Sequence, residues 1–207
     1  MTTLLNIDCM GYMAGLPDKA FDIAIVDPPY GIGNFIRNTS RGKKVQRNYG
    51  SVEWNNKVPD NKYFKELNRV SAHQIIWGAN YYNCFTGGAI VWDKRNNHPD
   101  MSRCEIASNT LKRTVDYIDL FHAGFTELNR IHPCQKPVAL YAWLIKNYCK
   151  PGWKILDTHL GSGSSAIAAE KLGYDFTGCE IDKDYYDAAL KRFHKETDLG
   201  MFKETGL

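Results

Sequence analysis

The sequence contains no Cys-x-x-Cys pair and no paired cysteine and histidine spacing; its six cysteines, Cys9, Cys84, Cys104, Cys134, Cys149 and Cys179, are scattered along the chain. That pattern favours neither a disulfide framework nor a zinc site, and no metal is expected. No run approaches the roughly 18 apolar residues of a membrane span. The first residues, Met1 to Asp8, lack the basic and long apolar regions of a signal peptide, so a soluble, cytoplasmic chain with no membrane partner is expected. Strong charge of one sign is missing too. A net charge of +3 does not identify a polyanionic partner, which leaves the distribution of positive charge as the informative quantity. No internal repeat, low-complexity tract or obvious linker divides the 207 residues, a length that suits one domain able to bury its core without staples.

What is present centres on Asp27-Pro28-Pro29-Tyr30, which follows the apolar run Phe21 to Val26. The β-branched and small residues of that run read as a strand buried on both faces. Two consecutive prolines lack backbone donors and cannot continue a central strand. The chain must therefore leave the sheet at its carboxyl edge, where open α/β sheets bind ligands. Between Gly31 and Val52 there is no acidic residue, while Arg37, Arg41, Lys43, Lys44 and Arg47 are interleaved with Asn, Ser, Gly and Tyr. A loop of about twenty residues inside a compact domain is usually functional or disordered, and this one is expected to be mobile.

Further along, Asp60 is placed to cap a helix carrying Tyr63, Phe64, Leu67 and Val70 near one face. Two apolar runs, Gln74 to Trp77 and Ala89 to Trp92, read as strands, with Asn80-Tyr81-Tyr82 between them either a pocket rim or a plain connection. Lys94 to Arg113 is polar and basic, and the alternation from Val115 to Phe121 suits an antiparallel edge strand.

The last third is the most legible. Pro137 opens a helix whose apolar face carries Val138, Leu140, Tyr141, Leu144, Ile145 and Tyr148, ended by Pro151-Gly152. A strand, Lys154 to Asp157, a glycine-rich turn, Thr158 to Gly163, a helix from Ser164 and a strand ending at Glu180 follow. Asp182 then caps a helix with Tyr186, Ala189, Leu190 and Phe193 toward the sheet, fraying from Glu196. This is a βαβα unit in a doubly wound α/β domain. Gly161 and Gly163 let backbone approach a ligand, the helix behind them offers amide donors, and Glu180 can accept from ribose hydroxyls, so a nucleoside ligand is expected. Gly161, Gly163 and Ala166 also satisfy a relaxed dinucleotide fingerprint, which keeps NAD open at this point. Asp157, four residues before the first glycine, would repel a pyrophosphate but suits an ammonium group, which points to S-adenosylmethionine.

Three motifs together resemble those of the DNA amino-methyltransferases. Asp27-Pro28-Pro29-Tyr30 resembles the catalytic motif, Asp157 to Ser164 the cofactor loop, and His132-Pro133-Cys134-Gln135-Lys136-Pro137 the stretch before the helix beside the cofactor. With the catalytic motif first and the cofactor loop last, the order resembles the permuted β-group. The permutation is physically harmless, because all strand carboxyl ends of a parallel sheet share one edge. The resemblance implies a mostly parallel, Rossmann-like methyltransferase fold over residues 1–200, with 31–58 as the basic loop, 94–131 as a small DNA-recognition region and 201–207 as a tail. It implies transfer of a methyl group from S-adenosylmethionine to adenine N6 of a flipped base in double-stranded DNA. Asp27, Pro28, Pro29 and Tyr30 would be catalytic. Asp8, Cys9, Asp27, His132, Lys136, Asp157, Thr158, His159, Gly161, Ser162, Gly163, Ser164, Glu180 and Ile181 would bind the cofactor. Arg37, Arg41, Lys43, Lys44, Arg47, Lys94 and Arg95 would contact DNA, without a metal, and a homodimer is a further expectation. Cytosine N4 stays open as the acceptor, as do an RNA or protein amide, an NAD oxidoreductase and a non-catalytic DNA-binding protein.

Overall fold

The structure, a computed structural model, describes residues 1–33, 53–85, 87–95, 102–121 and 130–201. In chain order the elements are β1 (Thr2–Asn6), α1 (Cys9–Ala14), β2 (Phe21–Val26), a 3₁₀ turn (Glu53–Asn56), α2 (Asn61–Val70), β3 (Ser71–Trp77), α3 (Ala79–Tyr82), β4 (Gly88–Asp93), β5 (Cys104–Asn109), β6 (Val115–Asp119), α4 (Val138–Tyr148), β7 (Lys154–Asp157), α5 (Ser164–Lys171), β8 (Asp175–Glu180) and α6 (Lys183–Met201).

The strands form one sheet in the order β1-β8-β7-β2-β3-β5-β4-β6. β5 runs antiparallel to both its neighbours, and every other pairing is parallel. β2 shows why such a strand reads as a continuous apolar run. Ile23 and Ile25 enter the core layer formed with α4 and α5, while Ala24 and Val26 enter the opposite layer with Tyr63, Leu67 and Val70 of α2. Helices thus cover both faces, as a doubly wound sheet requires. The Asp60 carboxylate caps α2, accepting from the amides of Lys62 and Tyr63 at 2.9 and 3.1 Å. Among the described residues no helix is long and apolar enough to cross a membrane.

Four local expectations are corrected. β6 lies at the sheet edge as its alternation suggests, but it pairs parallel with β4. β5 was not anticipated, because Ser108 and Asn109 are polar residues buried in a strand that neither alternates nor runs apolar. The last helix does not fray at Glu196 but continues to Met201. Pro137 flanks α4 rather than opening it, its carbonyl accepting from the Leu140 amide at 3.1 Å.

The antiparallel strand matters for the site. The parallel strands deliver their carboxyl ends to one edge, and β5, running the other way, delivers its amino end there, with Trp92 opposite Glu105 and Asp93 opposite Cys104. An acidic residue near the start of β5 therefore meets residues that follow β2 and β4.

Candidate active site

Along that edge lies a cavity of about 290 Å³. Ile7, Asp8 and Cys9 after β1, Asp27 to Tyr30 after β2, Thr158 to Ser162 after β7, and Glu180 to Asp182 at the end of β8 all line it, together with His132, Cys134 and Lys136. The ends of four strands and the stretch from His132 to Lys136 thus converge on one space.

At one end, Asp27 is held from both sides. Its Oδ1 accepts from the Tyr30 hydroxyl at 2.6 Å, and its Oδ2 accepts from Lys136 Nζ. Lys136 Nζ also donates to the Tyr30 oxygen at 3.1 Å and pairs with Glu105 Oε2 at 3.1 Å. Glu105 Oε1 in turn accepts from Lys94 Nζ at 3.0 Å. Burial pushes the Asp27 carboxyl above the usual aspartate range, with Glu105 adding to the rise and Lys136 opposing it. Burial also works against ionised Glu105, but Lys136 and Lys94 outweigh it and hold that carboxyl at about 2. Burial lowers Lys136, yet Asp27 and Glu105 win, so its ammonium is firmly protonated.

The aromatic end of the turn is fixed as well. The Tyr30 ring stacks on Tyr81, with centroids 4.8 Å apart and planes 14° from parallel. Its amide donates to Asn55 Oδ1 at 3.0 Å. The Tyr82 hydroxyl reaches the carbonyls of Pro28 and Pro29 at 2.5 and 3.0 Å. Asn80-Tyr81-Tyr82, of which α3 is largely made, thus braces the catalytic-type turn rather than merely connecting strands.

At the other end, Gly161 and Gly163 adopt positive φ values of 52° and 75°, which only glycine takes without strain. The Gly161 amide donates to Glu180 Oε2 at 2.8 Å, and the Asp182 amide to Oε1 at 3.0 Å. Each of those oxygens keeps a second lone pair, and burial raises the Glu180 carboxyl. His132 packs edge-on against Tyr185, 4.5 Å between centroids, and burial holds its imidazole down at about 3, hence neutral. His159 is likewise held down, at about 4, by burial. Thr158 Oγ1 shares hydrogen bonds with the Tyr63 hydroxyl at 2.6 Å and with His159 Nδ1 at 2.9 Å. Asp8 caps α1 by accepting from the Met10 amide at 3.1 Å, and burial pushes the Cys9 thiol up to about 12.

Two residues of the stretch from Asp157 to Ser164 sit behind the cavity wall rather than in it. Asp157 is 1 % exposed, its carboxylate accepting from the His159 amide at 3.0 Å and from Ser165 Oγ at 2.6 Å. Gly163 packs against Ala189 of α6. Of the basic residues named from sequence, Lys94 is buried at 7 % exposure against Glu105, and Arg95 forms an exposed fork onto both oxygens of Asp119. Arg37, Arg41, Lys43, Lys44 and Arg47 lie outside the described residues. Sequence reasoning did not single out Glu105 or Asn55, and it left Tyr81 and Tyr82 undecided. For Glu105 no local signal exists, since its place depends on the direction of β5.

The residues at the glycine end fit an S-adenosylmethionine. The loop presents backbone without β-carbons at Gly161, Glu180 offers acceptor lone pairs to a ribose, and Ile7, Cys9 and Ile181 give an apolar cleft beside it. Comparison with known proteins agrees. The methylase YubD of Escherichia coli K12 is 26% identical over 214 residues, covering 93% of this chain and 90% of its own. Among solved structures, the M1.HpyAVI complex with S-adenosylmethionine shares a TM-score of 0.59 at 20% identity, covering 93% of this chain and all of that one. The PvuII cytosine-N4 DNA methyltransferase shares 0.65 at 10% identity, covering 96% and 90%. The fold is that of the S-adenosylmethionine-dependent DNA methyltransferases. A family described as DNA methylase, of N6 and N4 amino-methyltransferases, matches residues 39–191, well over half of the sequence, and the chain belongs to that family.

Proposed function

We propose that this protein methylates the N6 amino group of adenine in double-stranded DNA, with the target base turned out of the helix. The observation that carries the reading is the juxtaposition of the Asp27 carboxylate and the Pro28 carbonyl with the glycine-loop end of the same cavity. An aspartate at position 27, rather than a serine, resembles the adenine enzymes.

An exocyclic amino nitrogen gives its lone pair to the ring and is a weak nucleophile. Asp27 accepts one of its N–H groups and the Pro28 carbonyl the other, which returns electron density to nitrogen. A carbonyl oxygen has two lone pairs, so Pro28 can keep the Tyr82 hydroxyl and still accept the base. The Tyr30 hydroxyl yields Oδ1 to the incoming amine, and its ring, released from Tyr81, stacks on the extruded base. Burial makes Asp27 a stronger proton acceptor than a surface aspartate, suited to take the proton that nitrogen sheds once its fourth bond forms. S-adenosylmethionine, held by Gly161, Ser162, Glu180 and the Asp8 to Cys9 turn, supplies the electrophilic methyl. Arg37, Arg41, Lys43, Lys44, Arg47 and Arg95 supply phosphate contacts that make DNA affinity salt-dependent. Lys94, being buried, is assigned to the site instead.

The test is incubation with methyl-labelled cofactor and unmethylated DNA, followed by nucleoside mass spectrometry. N6-methyladenine is expected, and Asp27→Asn should retain cofactor binding while turnover drops by about 10² or more. N4-methylcytosine as the product, or an unlabelled DNA with labelled RNA, overturns the reading.

A further inference from the structure

The catalytic-type aspartate is the end of a chain of four charges drawn from four parts of the fold. Lys94 follows β4, Glu105 stands near the start of β5, Lys136 precedes α4 and Asp27 follows β2. The contacts run Lys94 to Glu105 at 3.0 Å, Glu105 to Lys136 at 3.1 Å, and Lys136 to Asp27. Two carboxylates and two ammonium groups sum to no net charge, which is what lets four ionised side chains share a buried place. The Lys136 ammonium has three protons, and three oxygens take them: Asp27 Oδ2, Glu105 Oε2 and the Tyr30 hydroxyl. Its position is fully determined by that tripod.

We infer that Lys94 and Glu105 are positioning residues for Asp27, acting through the ammonium of Lys136. The inference rests on the reading of Asp27 as the acceptor of the amino proton. Were Lys136 committed to Asp27 alone, the ion pair would hold the carboxylate too tightly to act as a strong acceptor. Glu105 draws part of that ammonium away, and Lys94 holds Glu105 where it can do so. Lys94 and Glu105 therefore act in opposite senses on the same carboxylate. Removing Glu105 gives Lys136 wholly to Asp27 and makes Asp27 more acidic. Removing Lys94 leaves two carboxylates to share one ammonium and makes Asp27 less acidic.

Other groups face Asp27 as well. Tyr30 belongs to its own turn, Tyr82 comes from α3, Cys134 from the segment before α4, Tyr141 from α4, and Asp157 from β7. The three tyrosines and the thiol are raised by burial and stay neutral around pH 7, and burial raises Asp157 as well, so the charge in contact with Asp27 is the ammonium of Lys136, with Glu105 on its far side.

Two readouts test this on the full-length protein: the Asp27 carboxyl titration followed by carbon NMR without cofactor, and the acid limb of kcat against pH. Glu105→Gln should move the Asp27 midpoint down by about one pH unit and Lys94→Met should move it up by a similar amount, with the kcat limb following each. Because Lys94 works through Glu105, its shift should vanish in the Glu105→Gln background. If Glu105→Gln does not fold, Glu105→Asp, which retreats from Lys136, should give a smaller shift of the same sign. Unmoved midpoints, or two shifts in one direction, overturn the inference. Opposite NMR shifts in a protein that methylates no DNA would instead leave the network standing and sink the proposed function.

Discussion

The ring of Tyr30 lies across Gly78 so closely that a β-carbon at position 78 would stand 2.3 Å from Cε1 and 2.6 Å from Cδ1. Gly78 also has a φ of 75°, in the left-handed region, where it links β3 to α3. The residue is thus glycine for two independent reasons, one conformational and one steric, and the steric one belongs to the candidate active site.

Gly78→Ala is therefore expected to do two things. The left-handed backbone costs a side chain about 1–2 kcal/mol, which lowers the melting temperature by a few degrees. A β-carbon at position 78 pushes the Tyr30 ring off the place from which it would pass from Tyr81 to the extruded base, so base capture should weaken. Cofactor affinity should hold, since Gly78 does not line the cavity. Calorimetry reads the first effect, and fluorescence of 2-aminopurine placed at the methylated position reads the second. A variant that flips the base as well as the wild type would show that Tyr30 does not act from the position it holds here.

Much of this arrangement is local chemistry and so was legible. The strand into Asp27 is apolar and β-branched, two prolines end it, and two glycines mark the cofactor turn; each signal lies within ten residues. The topology rule that strand ends share an edge then brings Asp27 and Gly161 together without coordinates. What escaped depends on strand direction or side-chain parity. Lys94 reads as surface charge until Glu105 is placed beside it, and Glu105 is placed only by an antiparallel strand whose Ser108 and Asn109 disguise it. Asp157 was expected to face an ammonium group of the ligand, yet its oxygens turn to Ser165 and the His159 amide. Sequence gives the position of a strand-end acid but not the direction of its carboxylate.

Asp157 carries a pH prediction. Burial pushes its carboxyl up to about 7, against the opposing pull of Ser165 and the His159 amide. The unfolded group titrates near ~3.9, so the folded state binds the proton more tightly. Stability from this source is present below about pH 4 and lost as pH rises through about 7. Asn at 157 keeps the shape and removes the titration, its amide oxygen accepting from His159 and its amide nitrogen donating to Ser165 Oγ. Denaturant unfolding at about pH 5 and about pH 8 should show wild type losing a few kcal/mol relative to Asp157→Asn between the two. An unchanged difference would mean that Asp157 is ionised throughout and that its two donors outweigh burial.

The cofactor loop is also held from outside by a residue that does not line the cavity. Arg192 of α6 donates through Nη1 to the Ser162 carbonyl at 3.0 Å and to Ser164 Oγ at 2.8 Å, while its Nε is pinned by Glu196 at 2.7 Å. Its side chain is only 15% exposed, so these contacts compete little with water. Arg192→Leu keeps the packing of the stem but leaves the loop carbonyl without its donor. Cofactor affinity should fall by about tenfold, equivalent to about 1.4 kcal/mol, because the loop must be re-ordered on binding. DNA affinity without cofactor should stay within about twofold, since Arg192 lies at the glycine-loop end of the site, away from Asp27 and Tyr30. Glu196→Gln, which frees the guanidinium without removing it, should give a smaller loss of the same kind. Titration calorimetry with S-adenosylmethionine measures all three proteins. Equal affinities would show that Gly161, Gly163 and Glu180 hold the loop unaided, whereas a loss confined to DNA binding would place α6 on the nucleic-acid side of the protein.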